Sequence, residues 1–151
     1  MREQSLWIVP VDQFGKTSYQ QLAGLIRKAQ SSNRPILQIV SVAGTTETGV
    51  IDPIDKVQEV LAGFSRQDGL DIWHHIDAAY GGFACSLLHQ EKRLKLDAQI
   101  ESSLKAMANA NSITLDPHKF GYVPYFLRRI SYERSAYLHS LVICSSLSRE
   151  A

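Results

Sequence analysis

The sequence predicts an α/β domain with a mostly parallel sheet and helical crossovers. Two observations carry this. Short runs rich in β-branched and apolar residues alternate along the chain with stretches whose apolar residues recur at helical spacing. The clearest such run, Ile36-Leu37-Gln38-Ile39-Val40-Ser41-Val42-Ala43, is nearly continuous, the pattern of a strand buried on both faces of a parallel sheet. On that reading Val40 and Val42 should be almost fully buried.

The first element is a strand over Leu6–Val11, ending near Pro10, because proline is poorly tolerated in a central strand. Asp12-Gln13-Phe14-Gly15-Lys16 carries turn chemistry, and Thr17 or Ser18 can cap a helix running to about Gln30. Leu22, Leu25, Ile26 and Ala29 form its apolar face. The strand over 36–43 runs into the polar, glycine-punctuated loop Gly44–Gly49. Asp52 then reads as a helix cap with Pro53 at the first helical position, and Ile54, Val57, Val60, Leu61 and Phe64 supply an apolar stripe. Asp68-Gly69 turns the chain into a strand over 72–76. Residues 83–110 read as helical pieces, and a strand follows over Ser112–Leu115. The four strands should be mutually parallel. The stretch 126–151 has no glycine or proline and no clean period, and it reads as an atypical, disordered or frame-shifted tail beyond a domain spanning 1–125.

Composition narrows the function classes. The 151 residues suit one domain with a core. Hydrophobic residues make up 44% and charged residues 21%, an ordinary globular balance. A net charge of +1 gives no reason to expect nucleic acid or an anionic membrane as partner. No apolar run approaches the roughly 20 residues that span a bilayer. Cys85 and Cys144 show no disulfide pattern, and the polar start lacks a signal-peptide core, so a reducing, cytoplasmic setting is expected. No metal site is expected.

The chemistry concentrates at three strand ends. One brings Gly44-Thr45-Thr46, one brings Asp77, one brings His118-Lys119. In parallel α/β sheets those ends line the ligand crevice. Lys119 is either a solvated loop charge or a nucleophile. Asp77 is either a strand-end cap or a buried partner for a cation. Thr45 and Thr46 could merely cap a turn, and His75 could be a satisfied core histidine. His74 points to the opposite face of a regular strand. A carboxylate and an amine at one crevice suit a cofactor with a basic ring nitrogen and an aldehyde, and pyridoxal phosphate requires those two partners.

The blocks Ala43-Gly44-Thr45-Thr46-Glu47-Thr48-Gly49-Val50-Ile51-Asp52-Pro53-Ile54, His75-Ile76-Asp77-Ala78-Ala79-Tyr80-Gly81-Gly82 and Asp116-Pro117-His118-Lys119 resemble the group II pyridoxal-phosphate-dependent amino-acid decarboxylases. With Gly121-Tyr122-Val123-Pro124-Tyr125, they look most like the branch of bacterial tyrosine and archaeal tyrosine/aspartate decarboxylases. The resemblance covers about residues 5–125 and implies part of the large domain of the aspartate-aminotransferase-like (type I) fold. By position it makes Lys119 the lysine of the internal aldimine and Asp77 the partner of the pyridine nitrogen. It makes His118 a catalytic neighbour of that lysine, Thr46 a cofactor contact, and His75 and Ala79 residues packed near the ring. It implies decarboxylation of an L-amino acid, aromatic such as tyrosine or acidic such as glutamate or aspartate, and a homodimer for a full-length relative. After Tyr125 the family pattern lapses into Phe126-Leu127-Arg128-Arg129-Ile130, and the family's longer members carry further segments, so a fragment or truncated product is expected. The alternative is a catalytically inactive remnant acting as an α/β scaffold that binds a partner.

Overall fold

The computed structural model describes residues 6–89, 95–122 and 129–132. Three helices and four strands alternate through most of it: α1 Tyr19–Ser31, β1 Gln38–Val42, α2 Ile54–Asp68, β2 Trp73–Asp77, α3 Ala98–Ala106, β3 Ser112–Leu115 and β4 Arg129–Tyr132. A 3-10 helix, Gly82–His89, lies between β2 and α3. The sheet order is β1-β2-β3-β4. β1, β2 and β3 are parallel, as the alternation of elements requires, and β4 closes the sheet antiparallel to β3. β4 falls within the stretch read as a tail. The rest of that stretch, 126–128 and 133–151 with Cys144, lies outside the described residues.

Register sorts the side chains into two faces. Ile39 and Ser41 of β1 face the same way as His74 and Ile76 of β2 and Ile113 of β3. All three helices pack on this side. Leu22 and Ile26 of α1 meet Val57, Leu61 and Phe64 of α2, with Ile39 against them. Ile54 of α2 and Leu104 of α3 meet Ile76, with Ile113 and Leu115 at the margin. The opposite face carries Gln38, Val40 and Val42, then Trp73, His75 and Asp77, then Ser112 and Thr114.

That one-sidedness corrects the expectation for β1. Val40 is 48% exposed, and Val42 is half-buried. A continuous apolar run has the same pattern whether one or both faces are covered, and here helices cover one. Leu6–Val11 is also not a strand. It makes an isolated antiparallel bridge, Val11 to Thr17, and Leu6, Ile8 and Val11 are exposed. Pro10 offers no N–H to a neighbour.

The helix starts follow their caps except at one point. Ser18 accepts from the backbone N–H of Gln21 at 3.4 Å, and Asp97 accepts from those of Gln99 and Ile100. Asp52 does not cap α2; Pro53 stands at the cap with no side-chain bond. Instead the buried Asp52 carboxylate accepts from Thr17 N–H through Oδ1 and from Val42 N–H through Oδ2, each at 2.8 Å. It clamps the entry to α1 onto the C-terminal end of β1. A second carboxylate, Asp55, joins α2 to α3 by accepting from Gln99, Ser102 and Ser103. Burial pushes this carboxyl up, but those hydrogen bonds outweigh it and hold it below its ordinary value.

Removing the Asp52 clamp leaves two part-buried N–H groups without their acceptor. Asp52→Ala should cost about 2–4 kcal/mol in urea unfolding, the scale of hydrogen bonds to a charged acceptor. Val40→Thr, at an exposed position of β1, should cost less than about 0.5 kcal/mol.

Candidate active site

Parallel pairing puts the C-terminal ends of β1, β2 and β3 along one edge of the sheet. Val42 stands opposite Asp77, and Asp77 opposite Thr114. The backbone continues this stitching beyond the strands. Ala43 N–H donates to the Asp77 carbonyl at 2.9 Å, Ala78 N–H to that of Thr114 at 3.1 Å, and Gly81 N–H to that of Ala43 at 3.1 Å.

Glycine permits the closest approaches. A Cβ on Gly44 would lie 2.7 Å from the Gly81 Cα, and one on Gly81 would lie 2.5 Å from the Ala43 carbonyl oxygen. Gly44 also holds φ at +88°, the left-handed region in which other residues are strained. The loop after β3 is drawn in the same way: a Cβ on Gly121 would meet the Pro117 carbonyl and the ring of Phe83. The Tyr80 and Phe120 rings sit 6.1 Å apart across the same junction. Three loops that carry the candidate residues are therefore packed against one another.

Each candidate has a defined setting. Asp77 is exposed at the end of β2, and its Oδ1 accepts from Ala79 N–H at 3.1 Å. That bond fixes the carboxylate and gives Ala79 its place in the turn. Thr45 holds its own loop, accepting from Val50 N–H and pairing with the Thr48 hydroxyl at 2.7 Å. Thr46 stands exposed beside it. His75 shares Asp77's face. Its Nδ1 lies 2.7 Å from Ser112 Oγ and its Nε2 3.2 Å from Thr114 Oγ1. Trp73 Nε1 donates to the same Ser112 oxygen. Burial pushes His75 below its ordinary pKa, and the nearby Asp77 charge opposes that shift.

Lys119 follows β3 in a turn whose backbone closes from Lys119 N–H to the Asp116 carbonyl at 3.0 Å. The turn brings Lys119 Nζ to 2.9 Å from Asp116 Oδ2, with the Lys119 side chain 36% and that of Asp116 5% exposed. His118 Nε2 lies 4.0 Å from the same oxygen. Asp116 is not among the residues that the sequence pattern singles out. Its signal was present, since a turn of this kind sets residues i and i+3 side by side.

His74 belongs to the other face and to the core. Its Nε2 is 2.9 Å from Ser41 Oγ, while its Nδ1 is buried without a hydrogen-bond partner. A groove of about 390 Å³ near it, lined in part by Gln58, Asp71, Asn109 and Asn111, lies at the opposite end of β2 from Asp77 and Lys119. It has no part in the strand-end arrangement. Among the described residues no group of three His, Cys, Asp or Glu side chains could hold a metal ion, and no helix is long and apolar enough to cross a membrane.

The donor set fits pyridoxal phosphate. A carboxylate with one oxygen engaged by its own turn, an amine and the His118 imidazole are carried at strand ends that glycine contacts hold together, with the His75 imidazole on the Asp77 face of β2. The fold is that of type I pyridoxal-phosphate enzymes. The apo crystal structure of mouse CSAD matches with a TM-score of 0.67 at 21% identity, over 88% of this chain and 25% of its own. Catharanthus roseus tryptophan decarboxylase, solved in complex with L-tryptophan, matches at 0.55 and 29% identity, over 76% of this chain and 20% of its own. The chain belongs to the pyridoxal-dependent decarboxylase family, whose conserved-domain model matches residues 2–145. It is 37% identical to the L-tyrosine decarboxylase of Levilactobacillus brevis, over 78% of this chain and 22% of the relative. It is 35% identical to the probable L-tyrosine/L-aspartate decarboxylase of Methanothermobacter thermautotrophicus, over 78% of this chain and 29% of the relative. The chain thus spans between a fifth and a third of the length of these curated relatives.

Burial, with a smaller contribution from His75, pushes His74 down to about 4. The folded chain therefore keeps this imidazole neutral while the unfolded chain protonates it near its ordinary value of 6.5. Between those pH values the unfolded state binds more protons, so stability is lost as pH falls through the window, by about 3 kcal/mol at most. In chemical unfolding from pH 7 to pH 4, His74→Gln should lose correspondingly less stability than the parent chain.

Proposed function

We propose that this chain carries the lysine- and aspartate-bearing part of the active site of a pyridoxal-phosphate-dependent L-amino-acid decarboxylase. The observation that carries this reading is the placement of Asp77 and the Lys119 turn on the ends of adjacent parallel strands, joined by backbone bonds and glycine contacts. An aromatic substrate such as tyrosine, or an acidic one such as aspartate, is the class favoured by the names of the relatives. The alternative of a non-catalytic scaffold is not favoured, since the relatives named above are decarboxylases.

Pyridoxal phosphate, when bound, supplies an aldehyde that captures the substrate amine and a protonated ring that accepts the electron pair left by departing carbon dioxide. The chain's own residues hold and tune it. Asp77 would pair with the ring nitrogen, and the Ala79 N–H keeps the carboxylate oriented for that contact. Paired in this way, the carboxylate would keep the proton on the nitrogen. Lys119 would be the covalent anchor. Thr46 and Ala79 would line the cofactor's bed, and His118 would act beside Lys119. His75, wired to Ser112 and Thr114, would support the floor as a largely neutral ring. Homodimerisation and a cytoplasmic setting belong to the same reading.

The test is borohydride reduction of the cofactor-treated protein, followed by peptide mass mapping. Phosphopyridoxyl label should concentrate on Lys119 over Lys16, Lys56 and Lys105. Asp77→Asn should leave the label in place, whereas Lys119→Ala should abolish the specific signal. Equal labelling of all four lysines would mean surface chemistry and would sink the assignment.

A further inference from the structure

The contact between Lys119 and Asp116 is not accounted for by cofactor binding as described above. Lys119 Nζ lies 2.9 Å from Asp116 Oδ2, and the carboxylate is all but removed from solvent. The turn from Asp116 to Lys119 is closed by its own backbone bond, so the two side chains are set face to face by local geometry. A charged group is rarely buried unless its partner is built in. Asp116 directly follows Leu115, the last residue of β3, so its position is set close to the sheet. His118, 4.0 Å from the same oxygen, shares this carboxylate.

We infer that Asp116 is a positioning residue: its buried carboxylate berths the Lys119 amine at the end of β3, in an ion pair that the amine must leave to capture a carbonyl group. The inference rests on the reading of Lys119 as the cofactor's anchor. Its consequences do not require the cofactor to be present. While the amine is held against Asp116 Oδ2, it stays on one side of the turn. Releasing it makes the same amine more available to any small electrophile. The other titratable group on this turn is His118, and Asp77 and His75 stand on the neighbouring strand. None of these is removed by a change at Asp116, so the effect is assigned to the carboxylate.

The experiment is trace acetylation of the intact chain with acetic anhydride at pH 7.5, quantified at each lysine by mass spectrometry. Lys16 and Lys95 serve as internal references, and the unfolded chain as the reference for intrinsic reactivity. Asp116→Asn keeps the shape of the side chain but removes its charge. It should raise Lys119 acetylation relative to the references by about twofold to fivefold, the range expected for a partly exposed ion pair. Asp116→Glu, which keeps the charge, should return Lys119 toward the parent value. A general loosening of the structure would raise every lysine together and would not be reversed by glutamate. If Asp116→Asn does not fold, the parent chain decides: Lys119 should acetylate more slowly than Lys16 and Lys95 when each is normalised to the unfolded chain. Unchanged Lys119 labelling in a folded Asp116→Asn chain, or a parent Lys119 as reactive as the references, would overturn the inference. Failure of cofactor labelling at Lys119 with this result intact would instead count against the anchor assignment alone.

Discussion

The arrangement depends on how closely the loops after β1, β2 and β3 approach one another. Gly44 and Gly81 meet with no room for a Cβ on either, and Gly121 packs against Phe83 with equally little. Side chains at these positions would force the strand-end loops apart. The backbone bonds between Ala43, Asp77, Ala78, Thr114 and Gly81 would then lengthen or break. Asp52 reinforces the same corner from outside, by holding Val42 N–H and Thr17 N–H on one carboxylate. The candidate residues are thus placed by small residues and a buried acid.

The sheet's asymmetry divides the two adjacent histidines of β2. His74 faces the helices, where burial keeps it neutral and Ser41 engages one of its nitrogens. His75 faces the opposite side, in line with Asp77, and its ring is held by hydroxyls of β3. The two-residue period of a strand is enough to send one into the core and the other toward the site. The same period places Trp73, His75 and Asp77 on one face, and there Val40 stays open to solvent.

Much of this was legible in the sequence because it is local. An apolar run that stops at a polar residue marks a strand end, and the order of strands and helices fixes parallel pairing for β1, β2 and β3. The sequence pattern therefore sets Asp77 and Lys119 at one sheet edge. Other features were not legible, because they are decided by distant partners. Asp52-Pro53 has the local signature of a helix cap, yet the carboxylate bonds to residues 35 and 10 positions away. Val40 belongs to an apolar run, but which face is covered depends on where α1, α2 and α3 pack. Arg129–Tyr132 shows no strand pattern of its own and is a strand by pairing with β3. Asp116 was within view, in the motif that carries Lys119, and its role emerges when the turn brings the two side chains together.

The central claim is that three strand-end loops form one site for one ligand. Amide NMR during a titration with pyridoxal phosphate tests it most directly. The account predicts that amides of Gly44 to Thr46, Asp77 to Gly82 and His118 to Gly121 shift together and report a single dissociation constant. Shifts confined to one of these loops, or separate constants for each, would contradict it.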